Sequence, residues 1–349
     1  MSSSSTPDLA PITRHLRAMY TSRLLIAAIC HLKVFEQFSD GPQSLIELRQ
    51  RLGLNDRPAK VLFPALCAMG LLQVEASGRL SPTEQGRYLI SARTPNLIDY
   101  VGLEADDPGV VEMARRLKHD GPIDASEPAY VMEGAHRSMM DDPETARYLT
   151  LALAGRARHL SPLVARALPQ VTGHLLDVAG GTGLFAYEWL LINRDSTATV
   201  FDRPQVLVVA AEFLDEFCRS GRGGADGVRS RVKFVPGNML EDELPRADLV
   251  LAASLFHDWP TETCEILAGR FAAMLNPGGE LWVHDAFLND ELDGPLAVTD
   301  YSAQLFWFTK GRAYSANEYR AWLSGAGLRP AEETVPTLMD YRLLSARKL

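Results

Sequence analysis

Leu175-Leu-Asp-Val-Ala-Gly-Gly-Thr-Gly183 reads as a buried strand running into a glycine turn, with a helix expected over Leu184 to Leu191. Glycines at such a turn let the backbone approach a ligand closely. The helix amino terminus behind it offers unpaired N–H groups to a carboxylate or phosphate. From His174 onward the pattern alternates strand and helix, which calls for a parallel sheet. Nineteen residues after Gly183, Asp202 closes the strand Thr197-Ala-Thr-Val-Phe201, where an acid suits the two hydroxyls of a ribose. Loop and acid together indicate a nucleoside cofactor without saying which. Gly181-Thr-Gly183-Leu-Phe-Ala186 would also pass as a nicotinamide-dinucleotide fingerprint.

Three further features bear on that choice. Asp177 stands inside the strand before the glycines, where a dinucleotide fold usually carries an apolar residue. Val235-Pro-Gly-Asn-Met239 follows a third strand; Asn238 can hydrogen-bond an adenine and Met239 can pack on its face. Ala247-Asp-Leu-Val-Leu-Ala-Ala253 reads as a strand buried on both faces, and it leads into Ser254-Leu-Phe-His257-Asp258-Trp259-Pro260. A histidine at the carboxyl end of a central strand lies where ligands bind in open α/β sheets. Asp258 reads as a cap for the helix from Thr261, and Trp259 as a packing residue. The segments Leu328 to Val335 and Asp340 to Ser345 read as a strand pair closing one sheet edge.

The 349 residues suffice for two domains and a large core. The net charge of -9 and pI near 5.4 leave no electrostatic footprint for nucleic acid or an anionic membrane. Cys30, Cys67, Cys218 and Cys264 show no C-x-x-C spacing and sit in apolar helical stretches, which suits reduced core residues rather than a disulfide or zinc framework. Met1-Ser-Ser-Ser-Ser-Thr-Pro lacks the regions of a signal peptide and no apolar run reaches membrane-spanning length, so a cytoplasmic location is expected.

In the amino-terminal third, residues 10 to 36 read as one helix whose apolar positions cover more than one stripe. Such a helix is buried on several sides, in a core or against a second subunit. Ser44 to Leu52, then Asp56 to Met69, then a hairpin around Ala76-Ser-Gly78 and a helix over Thr83 to Ile90 give the winged-helix pattern. A recognition helix needs an outward polar face. Val61-Leu-Phe-Pro-Ala-Leu-Cys-Ala-Met69 is apolar nearly all round, which speaks for a dimer or domain interface and against DNA. Residues 91 to 172 read as mostly helical, with Glu133 to Met140 and Glu144 to Leu168 as helices; His136, Met139 and Met140 can line a pocket or simply pack.

Asp177-Val-Ala-Gly-Gly-Thr-Gly183, Phe201-Asp-Arg-Pro204, Gly237-Asn-Met239, Leu255-Phe-His-Asp-Trp259 and Asn276-Pro-Gly-Gly279 resemble successive motifs of the small-molecule O-methyltransferases that use S-adenosylmethionine. That group includes the plant caffeate-type enzymes and the bacterial natural-product and hydroxyindole methyltransferases. The resemblance implies an α/β, Rossmann-like class I methyltransferase domain with an N-terminal, mostly helical winged-helix dimerisation domain. The implied boundaries are 1–100 for the dimerisation domain, 101–172 for a helical connector contributing to the substrate pocket, and 173–349 for the cofactor-binding domain. His257 would be the general base, oriented by Asp285. Asp177, Ala179, Gly181, Gly183, Asp202, Asn238, Met239 and Ser254 would hold S-adenosylmethionine. Met139, Phe256, Gln304, Trp307 and Tyr314 would form the substrate pocket. The partners implied are a small-molecule acceptor and a second copy of the chain, with no nucleic acid, membrane or metal; His284 should alternate to the opposite face of its strand from Asp285.

The chain departs from the family pattern at four places. Ala179 replaces the first loop glycine, tolerable if its φ is negative. Asn238 stands where aspartate is common. Asp285 is shorter than the usual glutamate, and Ala313 occupies the place of a second carboxylate flanking the base. The expected reaction is O-methylation of a small aromatic hydroxyl. C- or N-methylation by positioning alone, and a catalytically degenerate cofactor-binding scaffold, remain the alternatives.

Overall fold

The computed structural model describes residues 6–121 and 139–349. The chain forms two compact units, Met1–Ala129 with Phe287–Ala316, and Tyr130–Ala286 with Asn317–Leu349.

The first unit opens with α1 (Ala10–Ile26), which passes into a π-helical turn at Ala27–His31 and a 3-10 turn at Phe35–Phe38. The single helix expected over residues 10 to 36 is therefore broken. Then come α2 (Leu45–Leu52), α3 (Asp56–Ala68), the hairpin β1 (Leu72–Val74) and β2 (Leu80–Pro82), α4 (Ile98–Gly102) and α5 (Pro108–His119). Ser44 and Glu47 form a reciprocal capping box at the start of α2, and Gly53 ends it in the left-handed conformation. Of the helix expected over Thr83 to Ile90, a 3-10 turn at Gly86–Leu89 is formed. The helix expected over Glu133 to Met140, with His136, lies outside the described residues except for Met139 and Met140.

The second unit begins with α6 (Pro143–Ala167), whose first turn is capped by Asp142 accepting the Thr145 N–H at 2.8 Å. It continues with β3 (His174–Val178), α7 (Leu184–Ile192), β4 (Thr197–Asp202), α8 (Pro204–Cys218), β5 (Val232–Pro236), β6 (Ala247–Ala253), α9 (Thr261–Met274) and β7 (Leu275–Asp285). The chain then returns to the first unit for β8 (Phe287–Leu288), α10 (Leu296–Phe308) and β9 (Tyr314–Ser315). It closes with α11 (Ala316–Gly325), β10 (Leu328–Pro330), β11 (Val335–Pro336) and β12 (Arg342–Lys348). The sheet runs β10-β12-β7-β6-β3-β4-β5. β3 through β7 pair in parallel, while β12 joins β7 and β10 antiparallel, the edge pair read from the sequence.

Placing all of 173–349 in one domain needs correction. Residues 287–316 cluster with the first unit because α10 is itself a core helix there. Ala303 and Phe306 are fully buried in one cluster with Leu24, Ala28, Leu62 and Leu66. Polar ties add to the apolar contact: the Thr21 hydroxyl donates to Asp300, and Arg57 donates to Asp120 at 2.7 Å and to the Thr309 carbonyl at 2.9 Å. The opposite face of α1 stays open, with Ile12, Leu16 and Met19 at 62%, 62% and 46% exposure.

Candidate cofactor and catalytic site

Parallel register brings the carboxyl ends of β3, β4, β6 and β7 to one edge of the sheet. They deliver Asp177, Asp202, Ser254 and Asp285 to the same side. Beside them lies a cavity of about 500 Å³, within the range of small-ligand sites. Its wall carries Ala179, Gly181, Asp202, Asn238, Met239 and Ser254, six of the eight residues expected to hold a cofactor.

The glycine turn is fixed by sterics. Gly183 has φ of +73°, and a Cβ there would meet the Tyr187 hydroxyl at 2.3 Å. Gly180 needs the same freedom of space, since a Cβ would fall 2.9 Å from the Asp177 carboxylate. Ala179 does not have the negative φ that would make its methyl harmless. Its φ is +52°, a left-handed conformation costing a non-glycine residue about 1–2 kcal/mol. Ser254 is held likewise at +54°, its N–H donating to the His284 carbonyl at 2.8 Å.

Asp202 is gripped by two backbone donors, Gly181 N–H at 2.9 Å and Arg203 N–H at 2.7 Å. Burial outweighs these donors and the nearby Arg203 charge, pushing its pKa up to about 6. The Asn238 side chain accepts the Leu240 N–H at 3.2 Å while its backbone N–H donates to Asp242 at 2.7 Å. Arg270 pins this loop by donating to the Met239 carbonyl at 2.7 Å. Asp177 and Gly183 are not on the cavity wall. Asp177 lies fully buried beneath the turn, with neither carboxylate oxygen in a hydrogen bond of normal geometry among the described residues. Burial, reinforced by the Asp202 charge, outweighs the nearby Ala186 N–H and pushes its pKa up to about 7.

At the other end of the edge, His257 Nδ1 meets Asp285 Oδ1 at 2.6 Å. Asp285 also accepts the Ala286 N–H at 2.8 Å and, through Oδ2, the Tyr319 hydroxyl at 2.8 Å. Donation from Nδ1 leaves Nε2 as the basic nitrogen of the neutral ring. Burial lowers the His257 pKa, but the Asp285 and Asp258 carboxylates outweigh it and hold the net value above the ordinary 6.5. Asp285 goes the other way: burial raises it, and His257 with the three donated hydrogen bonds brings it below the usual range. His257 itself is 3% exposed and adjoins the wall residues Leu255 and Asp258 without being on the wall. His284 does point away from Asp285: it stacks on Tyr341 and bonds the Thr337 hydroxyl at 2.9 Å.

Several sequence expectations change here. Asp258 does not cap α9, whose first position follows Pro260 without a side-chain cap. It turns back instead, with Oδ1 3.7 Å from His257 Nε2, and lines the cavity. Trp259 lines the cavity as well rather than packing in the core. Phe256 is fully buried against Phe271, Tyr319 and Trp322 and cannot touch a ligand in this cavity. Met140 reaches the wall where Met139 does not. Gln304, Trp307 and Tyr314 belong to the first unit and are absent from the lining. Trp307 is 5.8 Å from the Tyr20 ring, and Tyr314 lies buried under the Arg312 guanidinium. No local pattern signals Tyr319 or Arg156, another wall residue, because each acts through a partner far along the chain.

The residues present fit a nucleoside with an amino-acid tail. A clamped carboxylate at the end of β4 suits a diol, Met239 offers a face for a base, and an orphaned buried carboxylate lies under the turn. Comparison with known proteins agrees. Residues 138–329 match the family described as the O-methyltransferase domain. The chain is 29% identical over 323 residues to 3-hydroxy-5-methyl-1-naphthoate 3-O-methyltransferase of Streptomyces sahachiroi, covering 88% of this chain and 86% of that one. It is 34% identical to a family 2 O-methyltransferase from Planctomyces limnophilus, solved with apigenin, at TM-score 0.86 over 99% of this chain and 97% of that one. Human N-acetylserotonin methyltransferase, solved with S-adenosylmethionine, shares the fold at TM-score 0.53 and 23% identity, over 100% and 99% of the two chains.

Proposed function

The chain belongs to the O-methyltransferase family, and on that premise we propose that it methylates the hydroxyl of a small aromatic molecule. The observation that carries this reading is the His257–Asp285–Tyr319 relay at the edge of a cavity with a clamped Asp202. S-adenosylmethionine supplies, when bound, a methyl group on a sulfonium that is already an excellent leaving group. The chain's task is then to bind, align and deprotonate.

Asp202 would accept the ribose hydroxyls, Met239 and Asn238 would meet the adenine, and Asp177 would answer positive charge at the methionine end. Neutral His257 takes the acceptor's proton at Nε2, while Asp285 holds the ring and stabilises the imidazolium. Asp258, on the wall beside Nε2, supplies a second carboxylate close to the base, the kind of group that Ala313 lacks. Holding acceptor and methyl group in line can contribute roughly 7–11 kcal/mol in favourable systems. The hydroxynaphthoate relative and the apigenin-bound neighbour support a flat aromatic acceptor with fused rings.

The helix, helix, hairpin order of α2, α3, β1 and β2 supports a winged-helix module. The open apolar face of α1 supports its use in a homodimer. No helix among the described residues is long and apolar enough to cross a membrane, and the proposed site of action is the cytoplasm. The test is incubation of purified protein with S-adenosylmethionine and a panel of hydroxynaphthoic acids and flavones. A product heavier by one CH2, on oxygen, supports the reading; transfer only to amines or carbon acids overturns it.

A further inference from the structure

The stretch of α6 on the cavity wall is largely apolar, at Leu149, Leu153, Ala157 and Leu160, yet Arg156 stands among these residues. Among the described lining residues the other cation is Arg203, next to Asp202 and paired with Asp141 at 3.5 Å. Arg156 is placed toward the base instead. Its Nη1 donates to the Tyr341 hydroxyl at 2.6 Å, and its guanidinium carbon lies 5.4 Å from the centre of that ring. Tyr341 in turn stacks on His284, the residue before Asp285, at 5.2 Å. The long side chain is thereby fixed before any ligand arrives, which removes much of the entropic cost of using it.

Asp285 is met by His257, Tyr319 and Ala286. Asp258 shares the wall with Arg156; burial, reinforced by the Asp285 charge, leaves its pKa raised against the lowering effect of His257 and Arg156. A planar guanidinium in a partly enclosed, mostly apolar wall matches a carboxylate in shape and charge.

The geometry points to Arg156 as the recognition residue for a carboxylate carried by a ligand of this cavity. Two ligands of the proposed reaction can bring one: the amino-acid end of the cofactor, or an acid group on the aromatic acceptor. The inference rests on the proposed methyl transfer only for the second source. The first is tested by binding alone.

The experiment compares Arg156→Met and Arg156→Lys with the parent protein by calorimetry, after a thermal melt has shown each variant folded. The probes are S-adenosylhomocysteine, 5′-methylthioadenosine (which lacks the amino-acid tail), and a hydroxynaphthoic acid with its methyl ester, offered to the S-adenosylhomocysteine complex. If the cofactor is the source, Arg156→Met weakens S-adenosylhomocysteine by about 10- to 100-fold and leaves 5′-methylthioadenosine unchanged. If the acceptor is the source, S-adenosylhomocysteine is unchanged and the preference for acid over ester disappears. Arg156→Lys should recover part of either effect, since it keeps the charge without the fork. The inference is overturned if Arg156→Met binds all four probes like the parent, or weakens 5′-methylthioadenosine as much as S-adenosylhomocysteine. A parent protein that moves no methyl group would count against the proposed reaction and leave the cofactor comparison fully readable.

Discussion

Replacing Asp202 with alanine removes a carboxylate that two backbone N–H groups hold at the end of β4, facing the cavity. If it accepts the ribose hydroxyls, the loss is that of hydrogen bonds to a charged group, about 1.5–3 kcal/mol or roughly 10- to 150-fold in affinity. The same carboxylate has its pKa pushed up to about 6 by burial. Only the ionised form accepts both hydroxyls, so a proton competes with the cofactor. Affinity should be full above that pKa and fall as pH drops through it, by about tenfold between pH 7.5 and pH 5. The assay is calorimetric titration of S-adenosylhomocysteine across that range. The parent protein should show the acid limb, and Asp202→Ala should be weaker and keep only the shallower part of the limb that Asp177, pushed up to about 7, contributes. A parent whose affinity does not change with pH, together with a variant within about twofold of it, would refute the assignment of the ribose to Asp202.

Other outcomes follow from the same geometry. Ala179→Gly should relieve the left-handed strain at φ of +52° and raise Tm by about 1–3 °C, read by calorimetric melting; a lower Tm would mean the methyl group packs usefully. Asp285→Asn should cut turnover and move the acid limb of the pH–rate profile to lower pH, because the carboxylate beside Nδ1 raises the His257 pKa; an unmoved limb counts against that coupling. Tyr319→Phe leaves Asp285 Oδ2 buried with one donor fewer and should cost about 1–3 kcal/mol in denaturant unfolding. Sedimentation at low micromolar concentration should show a dimer that Leu16→Glu splits, whereas a parent monomer would mean the open face of α1 has another use.

The cofactor side is legible in the sequence because its signals are local. A strand, a glycine turn and an acid at the next strand end lie close together in the chain, and parallel pairing of β3 with β4 brings Asp177 and Asp202 to one edge. The pairing of His257 with Asp285 is legible only through family resemblance, since β6 and β7 must align before the two meet. What escapes depends on side-chain direction or on long loops closing. Asp258 is readable as a polar neighbour of His257, but its turn back toward Nε2 is not. Tyr319 reaches Asp285 and Arg156 reaches Tyr341 across 34 and 185 residues, distances over which periodicity carries no information. The acceptor residues fail for a related reason. Phe256 takes the inward direction of a one-turn segment, and α10 is apolar because it fills the core of the first unit.

The central claim is that His257 removes the acceptor's proton, and the pH–rate profile of His257→Gln tests it most directly. Glutamine keeps a hydrogen bond but takes up no proton near neutral pH. With saturating S-adenosylmethionine and a phenolic acceptor, the parent rate should rise with pH through a pKa above the ordinary histidine value of 6.5. The variant should be slower by about 10²–10⁴-fold and lose that limb, while binding S-adenosylhomocysteine as the parent does. A variant within about threefold of the parent, with the limb intact, would contradict the account and leave alignment alone to carry the reaction.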